Sequence, residues 1–338
     1  MVPISKNISI TFHLFHLSSF IFHLSSFIFS LMRILFLFLD GIGLGPDNPD
    51  ANPFSRADRP FLRDLLGGHN LTASAAPFEG DRATLLSLDA SLSVDGLPQS
   101  ATGQAVLLTG VNIPKELGYH YGPKPNPEVA SYLINGKTLF SWLRDNNKTA
   151  ALLNAYPPRY FDGIDSGKRL YSSIPLALTN AGFPLFTHDD FFAGRALSAD
   201  FTGAGWREFL GFPESPLLSP EEAGRKTADL AEQYDFSLFE YWASDYAGHK
   251  QDMDWAIRQL EIFDGVLRGL LESWNESEGL ILLTSDHGNM EDLSTRRHTD
   301  ARVPGLLVGS KSARTEFARG LHDLTGIVPA IEGLILNK

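Results

Sequence analysis

The chain has 338 residues, of which 43% are hydrophobic, and it carries a formal net charge of -12. This length and composition predict a large buried core, in one large domain or in one domain with a smaller insert. The acidic balance argues against a nucleic-acid partner, because nucleic-acid binders present a basic surface. The sequence contains no cysteine, which excludes disulfides, thiolate metal sites and cysteine nucleophiles.

The N-terminal segment contains a near duplication, in which residues 15–22 and residues 23–29 almost repeat each other. Lys6 is the only basic residue before this run and no Ala-x-Ala site follows it, so a signal peptide fits poorly. His and Ser interrupt the run of about 18–20 apolar residues that a membrane span needs, so no stable membrane insertion is expected. We interpret residues 1–31 as a non-native or upstream-translated extension of a cytoplasmic protein that starts at Met32. Export is the alternative, if this segment acts as a signal.

The first predicted strand is the apolar run Arg33–Leu39, which is typical of a central parallel strand buried on both faces. It ends at Asp40 and a glycine-rich turn. The spacing Gly-x-Gly-x-Gly, with prolines after it, does not match the dinucleotide fingerprint, so hydride transfer is disfavoured. A short helix is predicted over 59–66, and strand-like alternation follows over 84–94.

Small residues around Ser100 predict the start of a short helix. Ser100 would then lie at or near a helix N-terminus, where free N–H groups and the helix dipole favour an anion. A purely structural N-cap is the other interpretation of this serine.

The middle of the chain predicts a change of organisation. A helix over 138–146 and a buried strand over 149–156 continue the regular pattern. Residues 159–218 show few periodic segments, and we interpret them as a small cap or lid insert. The core domain would therefore consist of residues 32–158 and 219–338.

The C-terminal part returns to regular elements. Ser219 and Pro220 predict the start of a helix that runs to about Gln233. A strand over 236–243 and a long amphipathic helix over 252–274 follow. The later predicted elements are the strands 279–284 and 305–308 and a final helix.

The alternation of strands and helices predicts an α/β fold, a three-layer doubly wound structure with a mostly parallel sheet and a small cap insert. Asp40, Asp245 and the pair Asp286–His287 come at or just after the ends of three predicted strands, and His249 and His298 lie in the loops beyond. The carboxyl ends of parallel strands share one edge, so these side chains can converge. Mixed Asp and His ligands suit two divalent metal ions, Mn or Zn, better than Ca.

These residues carry a resemblance to a known family. The chain resembles the alkaline phosphatase superfamily of metalloenzymes, and most closely the branch that contains cofactor-independent phosphoglycerate mutase and phosphopentomutase. The motifs that carry this resemblance are Asp40-Gly41, Ser100-Ala-Thr-Gly103, Asp245-x-x-Gly-His249, Asp286-His287-Gly288-Asn289 with Glu291, and His298-Thr299.

The resemblance implies a site with two metal ions. Asp245, His249 and His298 would hold one ion, and the other would be held by Asp40, Asp286, His287 and the Ser100 oxygen. Ser100 would be the nucleophile that accepts the phosphoryl group and forms a phosphoserine, with Thr102 as the runner-up nucleophile.

The chain departs from the phosphoglycerate mutases in its cap, which is much smaller than their substrate domain. We therefore expect a phosphohydrolase acting on a small phosphorylated substrate, with a phosphomutase on a phosphosugar or phosphoglycerate as the alternative. A sulfatase is disfavoured because the Ser100 motif lacks the required Pro and Arg. A metal-stabilised binding protein without turnover is the alternative from another class. Candidate substrate contacts are Lys124, Arg159 and His120, and the further candidate anion contacts are Lys115, Lys168, Arg169 and Arg195.

Overall fold

The computed structural model describes residues 32–336, so the predicted extension over residues 1–31 lies outside the described residues. The strands are β1 (Arg33–Leu39), β2 (Phe78–Glu79), β3 (Ala83–Leu88), β4 (Ala150–Leu152), β5 (Ala155–Tyr156), β6 (Phe186–Thr187), β7 (Phe236–Tyr241), β8 (Gly279–Thr284) and β9 (Val303–Gly309).

The helices surround these strands. They are α1 (Pro53–Arg56), α2 (Pro60–Leu65), α3 (Ser100–Thr109), α4 (Ile113–Leu117), α5 (Pro127–Asn135), α6 (Leu139–Asp145), α7 (Pro158–Asp165), α8 (Ser173–Asn180), α9 (His188–Phe192), α10 (Ala204–Glu208), α11 (Pro220–Ala231), α12 (Ala243–Lys250), α13 (Met253–Ser273), α14 (Lys311–Ala318) and α15 (Ile327–Leu336). Two short 3-10 helices occupy Ala73–Ala75 and Leu324–Gly326.

The main sheet has seven strands in the order β2-β3-β9-β8-β1-β7-β4. Strands β8, β1, β7 and β4 pair in parallel, whereas β9 is antiparallel to β8 and β3 is antiparallel to β9. Strand β3 therefore runs with the parallel group, and the mostly parallel sheet predicted from the sequence is confirmed. Strands β8, β1 and β7, which the candidate ligands follow in the chain, are immediate neighbours.

Helices cover both faces of this sheet, which gives the predicted three layers. Alternate residues of β1 enter two separate cores: Phe36 and Phe38 pack with α3, α5, α6 and α15, whereas Leu35 and Leu37 pack with α2, α11 and α13. A central strand with apolar residues on both faces produces this arrangement. No helix within residues 32–336 has the length and apolar character needed to span a bilayer.

The strand predicted over 149–156 is divided in the structure. Strand β4 belongs to the main sheet, and β5 pairs with β6 in a separate two-stranded sheet. Between them, the Asn154 side chain bonds the backbone N–H and carbonyl of Glu240. The Asn154 amide thus makes the hydrogen bonds to Glu240 that the backbone of β4 would otherwise make, and the backbone of the chain departs from the main sheet here.

The segment predicted as a cap holds four helices and one short strand. Helix α8 packs through Ile174 and Leu178 into the core that contains Phe36 and Phe38. Phe191 and Trp206 instead form a small cluster of their own beside β5. The predicted boundaries of the insert, 159 and 218, remain a prediction.

Candidate metal centre

Two adjacent strands bring the first ligand group together. Strands β1 and β8 pair in register, with Phe38 opposite Thr284, and each is followed directly by a change of direction. Asp40 comes one residue after β1, and Asp286 and His287 come just after β8. All three side chains therefore lie at the carboxyl edge of the sheet, as predicted.

His287 is at the centre of this first group. Its Nε2 atom lies 3.0 Å from Ser100 Oγ, 3.3 Å from Asp40 Oδ1 and 3.7 Å from Asp286 Oδ2. Ser100 is the first residue of α3, and Gln99 occupies the N-cap position without a side-chain cap. The serine hydroxyl thus contacts the histidine and does not cap its own helix.

The second group consists of Asp245, His249 and His298. Asp245 Oδ2 lies 3.3 Å from His249 Nε2, and Asp245 Oδ1 lies 3.8 Å from His298 Nε2. Asp245 also has a carboxylate oxygen within 4.8 Å of ligand atoms of Asp40 and His287, so it borders both groups. The imidazole rings of His287 and His298 stack with centroids 3.8 Å apart, which brings the two groups into contact.

The secondary structure of this second group differs from the prediction. Asp245 was expected at a strand end and His249 in a loop, but β7 ends at Tyr241 and both residues lie on α12. One helical turn separates them, which places them on the same face. Their spacing of four residues was the signal for a helix, although Trp242 at the N-cap position provides no side-chain cap.

The three histidines are oriented by the backbone. The Nδ1 atoms of His249 and His298 lie 2.8 Å from the Arg296 carbonyl and 2.9 Å from the Pro98 carbonyl. Nδ1 of His287 lies 3.3 Å from the carbonyl of Gly288. A carbonyl partner at Nδ1 fixes the orientation of the ring and turns Nε2 toward the ligand groups. In each case Nε2 is the atom that faces the carboxylates.

The electrostatics of the first group reflect crowding of negative charge. Burial and the neighbouring Asp286 raise the pKa of Asp40 to about 8. Burial lowers the pKa of His287, but Asp286 and Asp40 outweigh this effect and raise the pKa to about 10. Burial and His287 lower the pKa of His298 to about 4, which keeps that imidazole neutral. The ionised carboxylates therefore require positive charge nearby.

A divalent cation fits this donor set. Asp40 Oδ1 is buried and accepts no hydrogen bond from any residue that the structure describes. Buried carboxylate oxygens without partners are costly unless a cation or a donor compensates them. Mixed carboxylate and imidazole ligands are typical of Zn and Mn sites.

Two residues that the sequence analysis did not assign to the site hold its loops together. Asn289 donates a hydrogen bond of 2.7 Å from Nδ2 to Asp245 Oδ1. Glu291 accepts hydrogen bonds of 2.8 Å from the N–H groups of Gly43 and Asn289, and another from the Thr299 hydroxyl. Glu291 thus joins the loop after β1, the loop after β8 and the segment that carries His298. Both residues belong to the motif quoted above, which was the available signal.

Helix α3 approaches the site very closely. A methyl group in place of the Gly103 hydrogen would lie 2.8 Å from both Cβ and the carbonyl oxygen of Asp286. A methyl group at Gly248 on α12 would overlap the side-chain amide of Asn289. Glycine at these two positions allows both helices to contact the metal-site loops.

Thr102 has a structural environment. It is fully buried, and its hydroxyl lies 3.1 Å and 3.2 Å from the carbonyl oxygens of Gln99 and Tyr121, which share its single proton, and accepts from the Tyr121 N–H. The structure therefore does not bring the runner-up nucleophile to the metal ligands, whereas Ser100 Oγ contacts His287 directly.

The candidate substrate contacts lie in two different cavities. Lys124 and Arg159 line a cavity of about 590 Å³ that also contacts Glu240. His120 lines a second cavity of about 590 Å³, together with His249 and His298. Burial lowers the pKa of His120. Arg195 lies apart from both cavities and pairs with Asp190 at 2.8 Å.

The described residues have the fold of alkaline-phosphatase-like proteins. A family model described as the metalloenzyme superfamily matches residues 211–337. This confirms the resemblance to the alkaline phosphatase superfamily that was predicted from the motifs.

Two phosphoglycerate mutases are similar to parts of the chain. The 2,3-bisphosphoglycerate-independent phosphoglycerate mutase of Laribacter hongkongensis is 30% identical over 128 residues, which are 35% of this chain and 25% of that protein. The same enzyme of Vibrio atlanticus is 26% identical over 198 residues, 54% of this chain and 38% of that protein. The chain therefore matches well under half the length of either mutase.

Solved structures share the fold over almost the whole chain. A Pyrococcus horikoshii protein superposes with a TM-score of 0.54 at 15% identity and covers 91% of this chain and 97% of its own. Leishmania mexicana phosphoglycerate mutase has a TM-score of 0.54 at 10% identity, with coverages of 90% and 95%. A mutant alkaline phosphatase of the Antarctic bacterium TAB5 has a TM-score of 0.51 at 12% identity, with coverages of 90% and 97%.

Proposed function

We propose that this chain is a metal-dependent phosphoryl-transfer enzyme that uses Ser100 as its nucleophile and hydrolyses a small phosphoester. The observation that carries this proposal is the position of Ser100 Oγ, 3.0 Å from His287 Nε2 at the start of α3. The nucleophile candidate, the carboxylates and the imidazoles thus cluster at one edge of the sheet, where Ser100, Asp286 and His287 are buried. The kinship with phosphoglycerate mutases and alkaline phosphatases supports the reaction class.

The ligands divide into two sets that share a border. We infer that Asp245, His249 and His298 hold one ion and that Asp40, Asp286, His287 and Ser100 Oγ hold the other, with Mn or Zn as the metal. Two such ions, when bound, neutralise charge on the phosphoryl oxygens and lower the pKa of a coordinated hydroxyl.

The N-terminus of α3 would receive the phosphoryl group. The N–H groups of Thr102 and Gly103 donate to the carbonyls of Tyr121 and Gln99. Those of Ser100 and Ala101 have no acceptor among residues 32–336, and they can donate to phosphoryl oxygens.

The reaction would proceed in two displacements. Ser100 Oγ loses its proton and forms a bond to phosphorus, while the bond from phosphorus to the leaving oxygen breaks and that oxygen takes a proton from solvent. Water then attacks the phosphoserine, the bond from phosphorus to Oγ breaks, and Ser100 regains its proton as phosphate leaves. In a mutase, a substrate hydroxyl would replace this water.

Isotope labelling tests the proposal. Metal-loaded protein mixed with a phosphoester carrying radioactive phosphorus should acquire label on Ser100, and Ser100→Ala should lose both the label and turnover. Thr102→Val is the matched variant, because it removes the neighbouring hydroxyl and should keep the label. Label that persists in Ser100→Ala and disappears in Thr102→Val would reverse the assignment.

The fate of the label separates hydrolase from mutase. For a hydrolase, the label appears as inorganic phosphate in buffer alone. For a phosphomutase acting on a phosphosugar or phosphoglycerate, the label leaves the protein only when a phosphorylated acceptor is added. The similarity of the chain to phosphoglycerate mutases is the observation that supports this second candidate.

A further inference from the structure

The cavity that contains Lys124 and Arg159 lies beside the strand that precedes Asp40, and none of the proposed metal ligands lines it. Glu240 forms part of its wall and lies at the end of β7, opposite Phe38 of β1 and two positions before the level of Asp40. Burial raises the pKa of Glu240 to about 8, and the charge of Asp40 is the second cause of this increase. The cavity therefore lies near the carboxyl ends of β7 and β4, on the side of the sheet edge next to β1 and Asp40.

Three cations border the cavity without carboxylate partners. Lys124, Arg159 and Arg169 line it, and none of them forms an ion pair within the described part of the chain. Arg195 of the same segment is instead paired with Asp190. Unpaired cations that converge on one cavity favour an anionic ligand group.

Aromatic side chains form the apolar part of the wall. Tyr156 and Tyr160 pack with ring centroids 4.4 Å apart, and the Arg169 guanidinium lies 5.0 Å from the centroid of the Tyr160 ring. Tyr160 is 7% exposed, and its hydroxyl has no hydrogen-bond partner among residues 32–336. Trp242 also lines the cavity and is 52% exposed, which leaves its indole available for stacking.

The size of the cavity also constrains the ligand. A volume of about 590 Å³ is in the range of sites for drug-sized ligands and is much larger than a three-carbon acid requires. An unpartnered buried hydroxyl, aromatic faces and unpaired cations occur together here. A planar group with polar substituents and a negative charge matches all three features.

We propose that the substrate is a phosphomonoester whose leaving group carries a planar ring and a second anionic group. The ring stacks on the exposed face of Trp242, and the second anion binds Arg159, Arg169 and Lys124. This inference rests on the proposed phosphoryl transfer at Ser100 and extends it to a substrate class.

Four probes separate the two features of this substrate. Glycerol phosphate has neither the ring nor a second anion, phosphoglycerate has only the anion, adenosine monophosphate has only the ring, and adenosine bisphosphate has both. With Mn-loaded protein, we expect kcat/KM to rise about tenfold for each feature, because one charge-assisted hydrogen bond or one stacked ring contributes about that factor. Equilibrium dissociation constants, measured by calorimetry on Ser100→Ala, should follow the same order.

Variants assign each feature to its side chain. Arg159→Gln should remove most of the advantage of the bisphosphate over the monophosphate, and Trp242→Leu should remove the advantage of the adenosine compounds. Trp242→Phe keeps an aromatic face and should restore most of the advantage of the adenosine compounds. Arg195→Gln is the matched control, since this arginine lies outside the cavity, and it should leave all four values unchanged.

The outcomes separate this inference from the proposed function. Equal kcat/KM and equal binding for the four probes would overturn the cavity assignment, even if every probe is turned over. Tight binding of adenosine bisphosphate that Arg159→Gln abolishes, without turnover of any probe, would support the cavity and refute the phosphoryl transfer. If kcat/KM for hexyl phosphate equals that for adenosine monophosphate, the proposed stacking of a planar ring is wrong.

Discussion

Asn289 controls the position of a carboxylate that borders both ligand groups. Its Nδ2 donates to Asp245 Oδ1 at 2.7 Å, and it is fully buried. Asn289→Asp keeps the shape but replaces the donor with a second negative charge beside Asp245. We expect metal affinity to fall roughly 10–100-fold, the usual loss when an outer-shell partner is removed. Competition titration with a chromogenic chelator measures this change.

The control for this substitution is Asn135→Asp, because Asn135 is exposed and donates only to Ser131 on the same helix. It adds the same charge without a ligand nearby, so metal affinity should stay within the error of the titration. Equal affinities for Asn289→Asp and the unaltered protein would show that Asn289 does not position Asp245.

Gly103 sets how closely α3 approaches Asp286. In Gly103→Ala the new methyl group would lie 2.8 Å from the Asp286 carbonyl oxygen, so the helix or the loop must move. We expect at least a tenfold loss of kcat/KM, because displacement of about 1 Å at a reacting group has large effects on rate. Steady-state kinetics on a generic phosphomonoester measures this loss.

Gly333 on α15 provides the matched comparison, since a methyl group there meets no atom within 4 Å. Gly333→Ala should leave the kinetics unchanged and should stabilise the fold by roughly 0.5–1 kcal/mol, because alanine favours the helix. Normal kinetics in Gly103→Ala would contradict the tight packing that places Ser100.

At the level of elements, helices α11 and α13 are in contact through glycine. A methyl group at Gly224 would overlap the backbone of Val266 and Leu270, and one at Gly269 would overlap that of Glu221. Gly224→Ala should therefore separate the helices and lower the free energy of unfolding by roughly 1–3 kcal/mol. Denaturant titration measures this, and Gly333→Ala again serves as the helical control.

The metal affinity of folded Gly224→Ala should be normal, because this helix pair packs on the core that contains Leu35 and Leu37 and holds none of the metal ligands. A loss of metal affinity without a loss of stability would show that the helix pair supports the site directly.

The elements that were predicted well are those with a strong apolar signal. Strand β8 was predicted at its observed bounds, Gly279–Thr284, because six buried residues in a row have one interpretation at that length. The helix after Ser219 was also located, since its capping box is visible in the sequence. Strength of the local signal thus determined which boundaries were correct.

The elements that were missed depend on contacts between distant residues. Helix α12 lacks a side-chain cap, and the strand over 149–156 is divided because the Asn154 side chain bonds the backbone of Glu240. The cavity beside Glu240 could not be predicted either, because Lys124, Arg159 and Trp242 come from three separate segments. The candidate metal ligands could be proposed from the sequence because the ends of parallel strands share one edge of the sheet, and their binding of metal stays a prediction.

For the whole molecule, the candidate metal centre joins segments that are far apart in sequence. Its ligands follow β1, begin α3, lie on α12, follow β8 and precede β9. The site also concentrates buried carboxylates in a chain of net charge -12. Burial and, after it, the neighbouring Asp286 raise the pKa of Asp40 to about 8. Keeping these carboxylates ionised in the folded protein without a cation is therefore unfavourable.

Metal removal should therefore destabilise the entire fold. An ion that binds only the folded state stabilises it by about 2.7 kcal/mol when its concentration is 100 times its dissociation constant. We expect chelator-treated protein to unfold several degrees lower, and Mn or Zn to restore the original Tm, as measured by calorimetry at constant ionic strength. Ca should restore less, because it prefers oxygen ligands alone. Asp286→Asn should reduce the response to added metal, and identical Tm values with and without chelator would refute a structural contribution of the ions.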